Sequence, residues 1–232
     1  MQKYSHNKMN LRKILTLFVI LSLSVSVYAD ITLEATYTDK EGKSVTTSGD
    51  ITAEAPLYVK FASNPSSLDP GASIEWHIRN TTAGLNLTRY EQDIDFTFTM
   101  AGQNVVTLQV MQDNEVVQSA SITITISESL LEMPNAFSPN GDDINDIYKA
   151  KKNYKSIVEF HAYIFNRYGQ KLYEWTDITS GWDGTYHGRP VKDGTYYVYV
   201  KARGADGIEY NIRRDVNLLR DFNKVESGNE QR

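Results

Sequence analysis

Ser121-Ile122-Thr123-Ile124-Thr125-Ile126 alternates hydroxyl and apolar side chains without exception. Successive side chains of a β-strand point to opposite faces, so this stretch places its isoleucines on one face and its hydroxyl groups on the other. The pattern predicts a strand with one face against a core and the other in water. The composition agrees with extended structure, because the chain has 15 tyrosines and this residue favours pleated surfaces.

Short runs with the composition of β-strands recur along the chain, and almost no segment has the pattern of a helix. Turn-forming residues such as Asp69-Pro70-Gly71 separate the runs in the first half, and Ala205-Asp206-Gly207 separates the last two. The predicted strands are 31–37, 57–61, 73–78, 96–99, 104–111, 116–126, 157–165, 171–175, 194–203 and 208–219. The spacing is typical of antiparallel sandwiches, so the predicted fold class is all-β.

The distribution of charge divides the chain into two units. Residues 30–129 contain 5 basic and 14 acidic residues, whereas residues 130–232 contain 15 of each. We therefore expect a first domain at 30–129, a second domain at 130–222 and a polar tail at 223–232. Each unit is large enough to bury a core of its own, which it needs because the chain has no cysteine for disulfides.

The first thirty residues have the organisation of a secretory signal peptide. Basic Lys8, Arg12 and Lys13 precede an apolar run from residue 14 to residue 27, and small residues follow. The run is shorter than the roughly 20 residues that a membrane-spanning helix needs. The sequence therefore predicts export with cleavage between Ala29 and Asp30, and no transmembrane helix in the mature chain.

Three segments of the first unit resemble an immunoglobulin-like domain of the PKD type. These are Pro56-Leu57-Tyr58-Val59-Lys60-Phe61, the strand around Trp76, and Phe98-Thr99-Met100-Ala101-Gly102 with the valine-rich run after it. The resemblance implies that Trp76 is the buried tryptophan of the sandwich. The sequence departs from the PKD pattern after this residue, where His77-Ile78-Arg79-Asn80 replaces the usual Gly-Asp-Gly turn.

Four ordered motifs mark the second unit. They are 134–148, which contains Ser138-Pro139-Asn140-Gly141-Asp142, then Phe165-Asn166-Arg167-Tyr168-Gly169, then Gly181-Trp182-Asp183-Gly184, then Asp193-Gly194-Thr195-Tyr196. Together they resemble the gliding motility-associated C-terminal domain, the type B sorting domain of the Bacteroidota type IX secretion system. The resemblance implies a second immunoglobulin-like β-sandwich in tandem with the first. The polar tail after the last strand is a departure from the family pattern.

The resemblance also marks individual residues as sorting-motif positions. They are Pro139, Asn140, Gly141, Asp142, Asn145, Asp146, Asn166, Arg167, Gly169, Trp182, Asp183, Gly184, Asp193, Gly194, Tyr196 and Arg220. Most of these residue types have structural uses in turns and cores, so a fold role competes with recognition at each motif. A partner could read Trp182, Arg167 or Arg189 where they are exposed.

The oxygen-rich loop of the first motif supports two hypotheses. Asn140, Asp142, Asp143 and Asp146 could supply oxygen ligands to calcium, which takes six to eight of them. However, the loop lacks the alternating acids and terminal glutamate of an EF-type site. The alternative is an Asx-turn loop whose side chains accept hydrogen bonds from their own backbone.

No catalytic constellation is evident, and the protein is predicted not to be an enzyme. The sequence contains no nucleophile elbow, zinc-binding His-Glu-x-x-His pattern, phosphate loop or dinucleotide fingerprint. Charge argues against nucleic acid as a partner, since the chain carries a net charge of −5 and no basic stripe. No cofactor is expected apart from the calcium hypothesis.

Two functions follow from the resemblance. In the first, type IX translocon components in the outer membrane deliver the chain to the cell surface or the medium, and the first domain is a small adhesive or spacer module. In the second, the protein is an accessory subunit of the secretion or gliding apparatus that docks to an outer-membrane β-barrel partner. The last strand, around residues 216–220, is the expected place for a partner strand to add.

Overall fold

The computed structural model describes residues 31–64, 68 and 70–220. The predicted signal peptide, its cleavage site at Ala29 and Asp30, and the polar tail at 223–232 lie outside these residues. The described part of the chain is all-β, as predicted, with sixteen strands and no helix. It contains no helix that could cross a membrane.

The first domain is a sandwich of two sheets. Its strands are β1 (Thr32–Thr38), β2 (Ser44–Thr47), β3 (Ile51–Ala53), β4 (Leu57–Asn64), β5 (Ser73–Asn80), β6 (Leu85–Arg89), β7 (Ile94–Phe98), β8 (Gly102–Gln112) and β9 (Glu115–Ile126). One sheet has the order β2-β1-β4-β7 and the other β3-β9-β8-β5-β6. All pairings are antiparallel except that of β3 with β9.

The core between these sheets follows the predicted alternation. Ile122, Ile124 and Ile126 are buried on the inner face of β9. Trp76 is fully buried, and its indole N–H donates to the Glu91 carbonyl at 3.0 Å. Its ring lies 6.1 Å from that of Phe61 in the opposite sheet, so these two residues join the layers.

Strands β2, β3 and β6 were missing from the sequence prediction. Each is short, and β2 and β6 lie at sheet edges where few side chains are buried. Runs of three to five residues offer few positions over which an alternation can be recognised. These strands form because a neighbour supplies the backbone partners, which is information that a local pattern does not contain.

The second domain is built on one five-stranded sheet. Its strands are β10 (Ala136–Phe137), β11 (Ile157–Phe165), β12 (Lys171–Trp175), β13 (Thr185–Tyr186), β14 (Arg189–Pro190), β15 (Gly194–Gly204) and β16 (Glu209–Leu218). The main sheet has the order β10-β16-β15-β11-β12, and β13 and β14 form a small ribbon. A two-residue bridge between Tyr148 and Trp182 brings both rings into the core that covers the sheet.

The last strand is not a free edge where the sequence analysis placed one. Residues 216–218 of β16 pair with β15, and Asn217 and Leu218 also pair with β10 on the other side. The Leu219 amide then donates to the Phe137 carbonyl at 3.1 Å. The expectation of strand addition at 216–220 is therefore wrong, because the chain's own segment before β11 already occupies that side.

The three long strands give the second domain two distinct ends. β11 begins and β15 ends beside the first domain, and β16 begins there as well. At the other end of the domain, β11 and β16 end and β15 begins. We call the end beside the first domain the junction, and the far end the motif pole, which comprises loops 138–146, 166–170 and 181–193 together with Arg220.

Candidate functional site

The four sequence motifs, although spread over 63 residues, meet at the motif pole. Gly184 has a φ of 77°, a backbone conformation that glycine adopts without steric cost. A β-carbon at this position would lie 3.0 Å from both Pro139 Cγ and Leu218 Cδ1. The first motif, the third motif and the end of β16 are therefore in close contact around this glycine.

Arg220, at the end of β16, forms hydrogen bonds with both the third and the fourth motif. Its guanidinium donates to the Val191 carbonyl at 2.6 Å, to the Gly184 carbonyl at 2.8 Å and to Asp193 Oδ1 at 2.8 Å. The Arg220 backbone N–H donates to the other oxygen of Asp193 at 2.7 Å. The planar fork of arginine can serve several acceptors at once, which explains the residue type at this position.

Trp182 lies beneath the loops of the motif pole and is fully buried. Its ring lies 5.4 Å from Phe137 and 5.1 Å from Tyr196, and its indole N–H donates to the Thr185 carbonyl at 2.7 Å. Asp183 accepts from the Thr185 amide and hydroxyl at 2.9 and 2.8 Å. Trp182 is thus unavailable to a partner, and its role in the fold is structural.

The second motif is a self-bonded hairpin that projects from the pole. Asn166 Oδ1 accepts from the Tyr168 and Gln170 amides at 2.9 and 3.1 Å, and Gly169 takes a positive φ in the turn. Gln170 Nε2 donates to the Tyr186 hydroxyl at 3.1 Å, which joins this hairpin to the β13–β14 ribbon. The motif therefore belongs to the same surface as the others.

The oxygen-rich loop binds its own backbone. The Asp146 carboxylate accepts from the amides of Asn140, Gly141 and Asp143, each at 2.8 Å. Asn140 Oδ1 accepts from the Asp142 amide at 3.2 Å, in the manner of an Asx-turn. Among the described residues, no three His, Asp or Glu side chains converge to hold a metal ion. The geometry favours the Asx-turn hypothesis over calcium.

The hydrogen bonds to Asp146 hold the pKa of its carboxyl below the usual value, chiefly through the Gly141 amide. A lowered folded-state pKa stabilises the loop above the unfolded pKa, and this contribution is lost as pH falls through the folded value. We expect Asp146→Ala, or acidification below that value, to lower the protection factors of the Asn140, Gly141 and Asp143 amides several-fold, each factor being taken relative to the intrinsic exchange rate at the same pH. Amide exchange by NMR measures this, with the β15 amides unchanged as the control; equal protection in both proteins would contradict it.

The surface of the pole carries residues that can meet a partner. Arg167 and Arg189 are exposed, and Arg167 lies 5.2 Å from the centre of the Tyr168 ring. Tyr168 is 80% exposed and Ile144 is 64% exposed. The sequence motifs pointed to the two arginines but not to Tyr168 and Ile144, because the exposure of a single apolar side chain in a turn is decided by the tertiary structure.

Residues 131–211 match the model of the CHU_C type IX secretion signal domain family. This confirms the resemblance found in the four motifs, and the second domain is a type IX secretion signal domain. Among curated proteins, the mouse VPS10 domain-containing receptor SorCS1 is 32% identical over 96 residues. That match covers 41% of this chain and 8% of the receptor.

Three solved structures match the chain at low similarity. A tetra-tandem repeat from the extending region of a large adhesion protein is 13% identical, with a TM-score of 0.29, and the match covers 82% of this chain and 67% of that one. Latent PorU from Porphyromonas gingivalis is 12% identical, with a TM-score of 0.27 and coverages of 82% and 20%. The SGBP-B protein of a Bacteroides ovatus mixed-linkage glucan utilization locus is 15% identical, with a TM-score of 0.25 and coverages of 78% and 45%.

Proposed function

We propose, on the premise that residues 131–211 are a type IX secretion signal domain, that the translocon reads this chain at the motif pole and delivers it to the cell surface or the medium. The first domain is then the cargo, a small adhesive or spacer module without enzymatic activity. The observation that supports the proposal is the convergence of all four motifs at the end of the second domain that points away from this cargo.

The arrangement suits a docking role for two reasons. The pole is held in one shape by Arg220, Trp182 and the Asx-turn loop, so little conformational entropy is lost when a partner binds it. Its exposed side chains include arginine and tyrosine, the residue types that contribute most to binding at protein interfaces. Arg167 and Tyr168 are neighbours in the hairpin that projects from the pole, and they are the strongest candidates for contact with the translocon.

We expect the double variant Arg167→Ala, Tyr168→Ala to lower delivery about tenfold or more, since a single interface anchor commonly contributes over 1 kcal/mol. Neither side chain is part of the core, so the variant should fold normally. The measurement is the fraction of full-length chain accessible to protease on intact cells, in hosts with and without a working type IX translocon. Wild-type protein should reach the surface only with the translocon.

Tyr197 and Arg213 provide a matched control on the same domain. Both are exposed on the outer face of the main sheet, and neither belongs to the loops that form the pole. The variant Tyr197→Ala, Arg213→Ala should be delivered like wild type. Equal delivery of all three proteins would refute docking at Arg167 and Tyr168, and delivery of wild type without the translocon would refute the secretion proposal itself.

The accessory-subunit alternative makes a different prediction for the delivered protein. A subunit of the apparatus should remain bound to an outer-membrane β-barrel partner at fixed stoichiometry, whereas cargo should be released from the translocon after transport. Affinity purification of the surface-exposed chain, followed by quantification of co-purified membrane proteins, distinguishes the two.

A further inference from the structure

The junction between the two domains is built around Ser156, which is buried and has a φ of 45°. Its hydroxyl accepts from the Ala55 amide of the first domain at 3.2 Å and lies 2.9 Å from the Ser127 hydroxyl. Its carbonyl accepts from the Ala205 amide at 2.9 Å. One buried serine therefore joins the first domain, the connector between the domains, and the β15–β16 hairpin.

The β15–β16 hairpin also contacts the first domain directly. The Ala101 amide donates to the Ala205 carbonyl at 2.9 Å, and the side chains of Ala205 and Val158 pack against the first domain's core. Apolar contacts of this kind are lost if the domains separate. The second domain thus adds apolar contacts to the core of the first.

The connector, residues 127–133, is hydrogen-bonded at several points along its length. The Ser127 amide donates to the Ala53 carbonyl at 3.0 Å, and Leu130 exchanges two backbone hydrogen bonds with Lys155 at 2.9 and 3.0 Å. The side chains of Leu131 and Met133 are buried in the core of the second domain. The connector therefore runs as an integral part of the fold.

Asp206 holds the middle of the connector in place. It accepts from the Ser129 amide at 2.8 Å and from the Ser129 hydroxyl at 2.7 and 2.9 Å. The Ser129 hydroxyl also lies 2.9 Å from that of Tyr210. Gly204 faces this contact so closely that a β-carbon there would collide with the Ser129 side chain. These residues form a latch, defined here as Ser129, Gly204, Asp206 and Tyr210.

We propose that the second domain remains attached as a permanent structural partner of the first, and that the connector is not a processing site. Proteases cut segments whose backbone can leave the fold, whereas the Ser127, Ser129 and Leu130 amides of the connector all donate hydrogen bonds to the rest of the protein. The contact between the domains does not depend on the route by which the chain crosses the membrane, so this proposal is independent of the delivery role.

Two measurements test the proposal. Intact mass spectrometry of the surface-exposed protein should show one species that contains both domains, and limited proteolysis of the purified full chain should show no early cut between residues 126 and 134. A surface species ending within that interval, or a first cut there in the native protein, would overturn the proposal whether or not delivery depends on the translocon.

Variants of the latch supply the positive arm of the test. Asp206→Ala and, independently, Gly204→Ala should raise the rate of cleavage in the connector about tenfold, since cleavage follows the population of the opened state. The matched control is Asp93→Ala, which removes a similar bond to the Ser63 amide, 3.0 Å long, at the far end of the first domain. Circular dichroism verifies that each variant is folded. Unchanged connector cleavage in both latch variants would refute protection by the latch.

Discussion

Replacing Trp182 with alanine is expected to lower the free energy of unfolding by about 3–5 kcal/mol, among the largest effects of any single substitution in the second domain. The side chain is fully buried, contacts the rings of Phe137 and Tyr196, and donates a hydrogen bond to the Thr185 carbonyl. Alanine would leave a cavity beneath three of the four motifs. Denaturant unfolding followed by circular dichroism measures the change.

The control for this substitution is Tyr168→Ala, which removes an aromatic ring from the surface of the same pole. Tyr168 is 80% exposed, so its loss should change the free energy of unfolding by no more than about 0.5 kcal/mol. A Trp182→Ala protein as stable as this control would show that the ring does not support the core. If Trp182→Ala is destabilised as expected, its loss of delivery reflects unfolding, in contrast to the Arg167 and Tyr168 variant, which should remain folded.

Replacing Arg220 with alanine is expected to cost about 2–3 kcal/mol, because charge-assisted hydrogen bonds to three acceptors disappear together. The Val191 carbonyl would lose its Arg220 donor, the Gly184 carbonyl would keep only the Val191 amide, and Asp193 would lose its ion-pair partner. The effect should concentrate at the pole, so amide exchange near Gly184 and Val191 should accelerate more than exchange in the middle of β15.

Arg220→Lys separates the charge from the geometry of the fork. Lysine retains a cation near Asp193 but cannot reach both carbonyls with a planar group, so we expect it to recover less than half of the lost stability. The same denaturant titration gives the answer. If lysine restores stability completely, the contribution of Arg220 is its charge alone. The hydrogen bonds from the guanidinium to the Gly184 and Val191 carbonyls then contribute nothing to the free energy of unfolding.

Several parts of the molecule were predictable because the forces behind them act between near neighbours. The alternation of residues 121–126 required one buried face, and β9 buries its three isoleucines. The run from Asn166 to Gln170 required a turn with a glycine at positive φ, and the hairpin has one. In both cases the side-chain period or the backbone conformation is decided within a few residues.

The edges of the sheets were not predictable by the same means. An open edge was expected at residues 216–220. Instead β10 pairs with the end of β16, although these two strands are separated by about 80 residues in the chain. A strand of two residues has no recognisable period, and it forms because its neighbour supplies the hydrogen-bond partners. Likewise Ala205-Asp206-Gly207 reads as an ordinary turn, and nothing local shows that it contacts the first domain.

By itself, then, the sequence determined the all-β class, the two domains' strand patterns, and the family of the second domain, since alternation, turn residues and ordered motifs are all local properties. Only the tertiary structure decided that Trp182 is core and Tyr168 surface, that Arg220 clamps Gly184 to Asp193, and that Ser156 and Asp206 fasten the domains together. These contacts join residues distant in the chain, and their existence depends on how whole sheets pack.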